Sequence, residues 1–427
     1  MLFIYVMHLP TFETVNKKTK KYLLIFWLII LSPVLFFSTQ IVFDFTDFLS
    51  SDIHVELTAY LRSKRRITLT GVGNNFSKSF LDRVFIRALG QRQNVILVEN
   101  RNRIPEITNC FPDDSLLVFT RHDDYRESQR QAVRILEEWR SGRAVTLIST
   151  PEDMLYTIPI NPEEEVLTIK KGQNLYLLSF FEELISRGYE QSEDNTLVPG
   201  TYNARGSLVN IYPINSDTVI KIEMNDQAVE QILTFDQNEK RVKNNLSNLR
   251  IYPVRWKGKG DNLFYLLRGE GLMIFDEIEN VEGEAEIEIK EITSRTDNYI
   301  LRLTVFPEDE DFFHLRYLSV LKYYTAQDFV NDLSEKFNNE WKVIIYTKNI
   351  VEIKNILVEN NLPFVTQVED FRPAARAILL LPQEATEPTQ NSWQNSKEKI
   401  AVITDREIFK GKKQKVSVGK NNLMDFL

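Results

Sequence analysis

A single cysteine, Cys110, in 427 residues excludes an internal disulfide framework, and its plain reading is a lone buried thiol. Histidine is almost as scarce. His8, His54, His122 and His314 are scattered without the spacing that zinc ligands need. Net positive charge is missing too: the formal charge of -8 argues against a chain-wide grip on a nucleic-acid backbone, where non-specific affinity comes from clustered Lys and Arg. Contact with DNA is therefore expected to be weak or supplied through partners. No internal repeat recurs, and no Ser/His/Asp or Cys/His set stands out for nucleophilic chemistry. The sequence implies neither a cofactor nor a metal.

What is present is enough apolar material for more than one core. The chain is 43% hydrophobic, and single cores stop growing near roughly 250 to 300 residues. Residues 1–45 form a basic and hydrophobic segment in which Tyr22 to Phe43 carries no charge and follows Lys17, Lys18, Lys20 and Lys21. That length approaches the ~20 residues of a membrane span. Three readings stay open: a single-span membrane anchor, a buried apolar helix broken at Pro33, or a start codon assigned too far upstream. The remainder has the character of a cytoplasmic protein.

From Thr46 to about 166, apolar runs alternate with amphipathic stretches, which predicts a parallel α/β sheet. Residues 167–256 change texture: a helix over Leu175 to Arg187, then short strands at Ser207 to Tyr212, Val219 to Met224 and Ala228 to Phe235, as in an antiparallel α+β unit. Strand-like segments at Leu263 to Leu267, Leu272 to Phe275 and Tyr299 to Phe306 fill 257–322, interrupted by an acidic tract, Glu277 to Glu291, read as a solvated face or loop. Residues 323–409 return to helix and strand alternation, and 410–427 read as a basic linker.

Gly71-Val72-Gly73-Asn74-Asn75-Phe76-Ser77-Lys78-Ser79 lies between an expected strand and an expected helix, the setting of a phosphate loop. In the GxxxxGK[ST] template both glycines allow backbone to approach phosphate, yet Val72 and Ser77 hold those places. Gly71, Gly73, Lys78 and Ser79 therefore mark a vestigial phosphate loop or a structural turn. Asp276-Glu277 follows its strand as a magnesium-binding carboxylate pair would, but without a working phosphate loop it reads as ordinary strand-end carboxylates.

The most specific segment starts at Gly188-Tyr189-Glu190. It runs through Pro199-Gly200-Thr201-Tyr202-Asn203-Ala204-Arg205-Gly206 and Ile211-Tyr212-Pro213 to Ile222-Glu223 and Thr234-Phe235-Asp236. This run resembles the UvrB-interaction domain shared by UvrB and the bacterial transcription-repair coupling factor (Mfd), whose pattern is GYE, PGxFxVRGxxxxIFP, a strand ending IEF, then TFD. Thr68 to Leu81 resembles the degenerate first domain of the coupling factors, and Ile400 to Phe409 resembles their VITExELFG strand.

The resemblance implies an α/β fold: a degenerate RecA/UvrB-like NTPase-type domain with an inserted α+β UvrB-interaction domain and a further small α/β domain. It also implies a non-catalytic interaction module of nucleotide excision repair whose partner is a UvrA-like protein. Arg205 matches the family arginine, with Gly206 after it and Tyr202 beside it. Asn203 and Gln191 stand where neighbouring family arginines fall, which puts affinity in doubt. RNA polymerase would be a partner only with a downstream domain, and the chain reaches Leu427 without the polymerase-binding and translocase domains expected next. Two other classes remain: a remnant helicase binding ATP through Lys78 and Ser79, and a membrane-anchored binding domain unrelated to repair.

Overall fold

A computed structural model describes residues 51–108, 116–159, 162–193, 196–238, 241–257, 260–294, 297–307, 311–367, 377–383 and 390–408. The apolar stretch 22–43, Cys110 and the basic tail from 410 lie outside the described residues. No helix among the described residues is long and apolar enough to cross a membrane.

The first α/β stretch comprises α1 (Asp52–Lys64), β1 (Arg66–Val72), α2 (Asn75–Leu89), β2 (Gln93–Val98), α3 (Arg103–Thr108), β3 (Leu116–Val118), α4 (Tyr125–Arg140), β4 (Val145–Ser149) and β5 (Thr157–Pro159). A β-rich stretch follows: β6 (Leu167–Lys170), α5 (Leu177–Ser186), β7 (Glu190–Gln191), β8 (Thr201–Arg205), β9 (Leu208–Tyr212), β10 (Val219–Asn225), β11 (Ala228–Asp236), β12 (Arg241–Asn245) and β13 (Asn248–Ile251). The chain then returns through β14 (Gly260–Asn262), β15 (Leu272–Asp276), α6 (Gly283–Ser294), β16 (Tyr299–Leu303) and β17 (Phe313–Ser319). It continues with α7 (Ala326–Asn338), β18 (Lys342–Thr347), α8 (Ile350–Glu359), β19 (Phe364–Val365), β20 (Ile378–Pro382), β21 (Trp393–Asn395), β22 (Ile400–Thr404) and α9 (Asp405–Ile408).

Twelve strands form one mixed sheet in the order β19-β20-β18-β22-β21-β17-β1-β16-β15-β2-β4-β3. Only β21 runs antiparallel to its neighbours, β17 and β22. Strands β4, β15 and β22 are buried at every position, as parallel strands covered on both faces must be. That is why they read as unbroken apolar runs rather than alternating ones. β21 joins the first α/β stretch to the last, so the strands of 323–409 continue the sheet that β1 belongs to.

The β-rich stretch builds its own six-stranded sheet, β12-β11-β10-β9-β8-β7, antiparallel except for the β7–β8 pair. Helix α5 turns Phe180 and Leu184 into the same core as Tyr202, Ile211, Ile222 and Ile232. β6 and β13 pair antiparallel, Leu167 opposite Ile251, as a two-stranded stem at the root of this unit. Helix α4 seats it: Val133 enters the β-rich core, Gln129 Nε2 donates to the Pro253 carbonyl at 3.2 Å, and Arg126 pairs with Glu190 at 2.6 Å.

Two expectations need correction. Leu263 to Leu267 is not a strand but part of a 3-10 helix, Leu263–Arg268, with Leu263, Phe264, Leu266 and Leu267 all buried. A short apolar run has no periodicity to separate strand from buried helix. The acidic tract is not a loop over its second half, where α6 buries Ala285 and Ile292 and leaves its glutamates toward water. The solvated acidic face does hold there.

Candidate functional site

Two regions carry the candidate residues, the Gly71–Ser79 turn and the β7–β8–β9 edge. In the first, both glycines serve the approach of β17 to β1. Gly71 adopts φ 73°, and a Cβ there would lie 2.6 Å from His314 Cε1. The Gly73 N–H donates to the Tyr317 carbonyl at 2.8 Å. The helix N-terminus is likewise satisfied from within, because Asn74 caps α2 by accepting the Ser77 N–H at 2.9 Å. Its amide donates onward to the Ser392 carbonyl at 3.2 Å. The N–H groups of Gly73, Ser77 and Lys78 are thus engaged within the fold, and Ser79 is buried inside α2.

The carboxylate pair is not idle. Lys78 Nζ lies 2.7 Å from Asp276 Oδ1 and 2.7 Å from Glu277 Oε1. From the first position of α3, Arg103 presents Nη2 to Asp276 Oδ2 at 2.9 Å and Nη1 to Glu277 Oε2 at 2.7 Å, and Nη2 also donates to Asn75 Oδ1 at 2.8 Å. Two cations and two carboxylates thus close a ring whose formal charges cancel. Glu277 sits at φ 55°, a left-handed backbone that a non-glycine residue adopts under constraint. Burial pushes its carboxyl up, but Lys78 and Arg103 outweigh burial and hold it below the usual carboxylate range.

Asp82 on α2 completes the surroundings. Its side chain has no exposure, and neither carboxylate oxygen has a hydrogen-bond partner. Burial, then the charge of Asp276, pushes its carboxyl well above the ordinary value. Sequence reasoning does not single out Arg103 or Asp82, nor the capping role of Asn74. The available signal was Arg101-Asn102-Arg103 directly after an apolar strand. Arg101 makes the parallel contact, an ion pair with buried Asp153.

At the second region the candidates separate by exposure. Gln191, Arg205 and Gly206 are exposed, whereas Tyr202 is buried in the core with its ring stacked on Phe181, centroids 5.4 Å apart. Asn203 is also buried and accepts from Asn210 Nδ2 at 2.8 Å. Gly206, at φ 60°, takes the first central place of the two-residue turn between Arg205 and Leu208, and its missing Cβ faces open space. Gly200 answers to crowding instead: a Cβ there would lie 3.1 Å from Val254 Cγ2. Asp236, at the end of β11, pairs with Lys243 at 2.6 Å.

This helix, meander and stem correspond to a known family. Residues 167–256 match the UvrB interaction domain. Among curated proteins, the transcription-repair-coupling factor of Haemophilus influenzae is 28% identical over 171 residues, covering 39% of this chain and 15% of that protein. The UvrABC system protein B of Fervidobacterium nodosum is 29% identical over 139 residues, 31% of this chain and 20% of that protein. The transcription-repair-coupling factor of Bacillus subtilis is 26% identical over 132 residues, covering 30% and 11%. The matches thus span a fifth or less of these relatives' own length, and the region they share with this chain is of the Mfd/UvrB interaction type. A solved structure, that of S. tokodaii Xpd4, aligns over 78% of this chain and 80% of its own at 9% identity, with a TM-score of 0.23, too low to argue from.

Proposed function

We propose that this protein is a non-catalytic interaction module of nucleotide excision repair, docking on a UvrA-like protein through the β7–β8–β9 edge of its interaction domain. The observation that carries the reading is the family match over 167–256 together with the exposed Arg205-Gly206 turn within it. A guanidinium can pair a partner's carboxylate through two parallel N–H bonds, and a glycine beside it keeps the approach open. Gln191 lies on the same edge and Asn203 under it, so fewer charged contacts are on offer than the family pattern supplies. The reading implies a cytoplasmic setting, DNA reached mainly through the partner, and RNA polymerase contacted only by way of further domains. Boundaries at 46–166, 167–256, 257–322 and 323–409 go with it.

The phosphate loop supports the non-catalytic half of the reading, since Lys78 is engaged by Asp276 and Glu277 and the α2 N-terminus by Asn74. The test is titration of the cognate UvrA against wild-type protein and Arg205→Ala, with circular dichroism confirming the fold. Micromolar or weaker binding by the wild type, and a loss of about 2 kcal/mol, roughly thirtyfold, in the variant, is expected. Equal affinities, or no binding by either at high micromolar concentration, would end it.

A further inference from the structure

We infer that Arg103 is a built-in cation, a plug at the C-terminal end of β15, standing where a divalent metal ion would otherwise sit between Asp276 and Glu277. The inference rests on the reading of the phosphate loop as inactive and adds what closes it. Missing glycines explain poor phosphate contact, but they leave the carboxylate pair untouched.

Four observations point to a plug. The guanidinium bonds one oxygen of each carboxylate, Asp276 Oδ2 and Glu277 Oε2, while Lys78 takes the other oxygen of each. The two carboxylates therefore converge on the arginine as a pair of hard oxygen donors, the ligand type that magnesium and manganese prefer. Glu277, which supplies one of these oxygens, sits in a left-handed backbone conformation at φ 55°. Asp82 is an unpartnered, fully buried carboxyl that feels the charges of Asp276, Lys78 and Arg103.

A side chain that only braced a helix would have no need to span both carboxylates. A guanidinium does not lose its proton in proteins, so the plug is not released by pH. Among the described residues no three His, Cys, Asp or Glu side chains stand close enough to cage a metal. The site behind the plug is accordingly a two-carboxylate site that leaves the remaining ligands to water, as magnesium sites commonly do.

The experiment uses the full chain with Mn2+ as probe, read by electron paramagnetic resonance of the free ion and by thermal shift. Wild type and Arg103→Lys, which keeps a positive charge in place, are expected to bind little. Arg103→Ala and Arg103→Gln are expected to bind Mn2+ at least about tenfold more tightly than wild type. That gain should vanish when Asp276→Asn is added.

If the arginine variants fold only with metal, rescue by Mn2+ supports the plug, and failure of Mn2+ to rescue them overturns it. Folded variants with wild-type affinity also overturn it, as does a gain that survives Asp276→Asn. Binding of Mg-ATP by the wild type would instead overturn the inactive-loop reading, a separate outcome from these.

Discussion

The indole of Trp393 on β21 stacks on the ring of Phe80 on α2, with centroids 5.3 Å apart and planes 29° from parallel. Two residues from opposite ends of the described chain thus share one contact. Tyr317 packs on both rings, and Trp393 itself is 1% exposed. Helix α2 is thus held against the C-terminal strand β21 by this aromatic cluster.

Trp393→Ala should therefore lower stability by about 3–5 kcal/mol, the range for emptying an aromatic site in a core. Phe80→Leu should cost less, since it keeps most of the volume. Urea unfolding of the two variants checks this, and a loss under about 1 kcal/mol for Trp393→Ala would mean the joint is soft.

Lys78→Ala strands Asp276 and Glu277 with one cation fewer and should cost roughly 3 kcal/mol, because breaking a buried pair leaves an uncompensated charge. Lys78→Ala with Asp276→Asn should recover part of that loss. Neither protein, nor the wild type, is expected to hydrolyse ATP with or without DNA. Wild-type turnover that Lys78→Ala abolishes would restore the helicase reading.

How much of this was legible follows from where each signal is written. Strands such as Leu272–Asp276 and Ile400–Thr404 announce themselves in consecutive apolar residues, and the β-rich meander in its glycine spacing and half-buried alternation. Leu263–Arg268 failed because its residues are apolar without a period. The ring around Asp276 failed for another reason: Arg103 meets its partners 173 and 174 positions along the chain, and nothing local in Arg101-Asn102-Arg103 says so. Tyr202 reads as a docking candidate from its place beside Arg205, whereas β8 buries Thr201, Tyr202 and Asn203 in succession and leaves only its Arg205 end exposed.

Acid should weaken the fold through His54. Its ring is buried, with Nε2 2.8 Å from the Tyr317 hydroxyl and Nδ1 accepting the Ser51 N–H at 3.0 Å. Burial, helped by Lys342, lowers its pKa from 6.5 to about 4. The unfolded chain then binds the proton more readily than the folded one. This stabilisation is complete above pH 6.5 and is lost as pH falls toward 4, by up to about 3 kcal/mol. His54→Gln should flatten the dependence of the urea midpoint on pH across that window, and an unchanged slope would assign the acid sensitivity to other groups.

DNA binding by the isolated chain should be weak and should collapse as salt rises, given the net charge of -8. Fluorescence anisotropy with a damaged duplex, run at about 50 and 200 mM salt, reads it. Tight binding that resists salt would require a recognition surface that none of the residues discussed above supplies.

The paired stem of β6 and β13 brings the chain into and out of the interaction domain at neighbouring points, Leu167 opposite Ile251. Tension applied to residues on either side of 167–256 would therefore load the stem and the twelve-stranded sheet first and leave the meander outside the path of the force. A partner held by that domain would ride as a side load on a closed loop, keeping its grip while the backbone on either side is pulled.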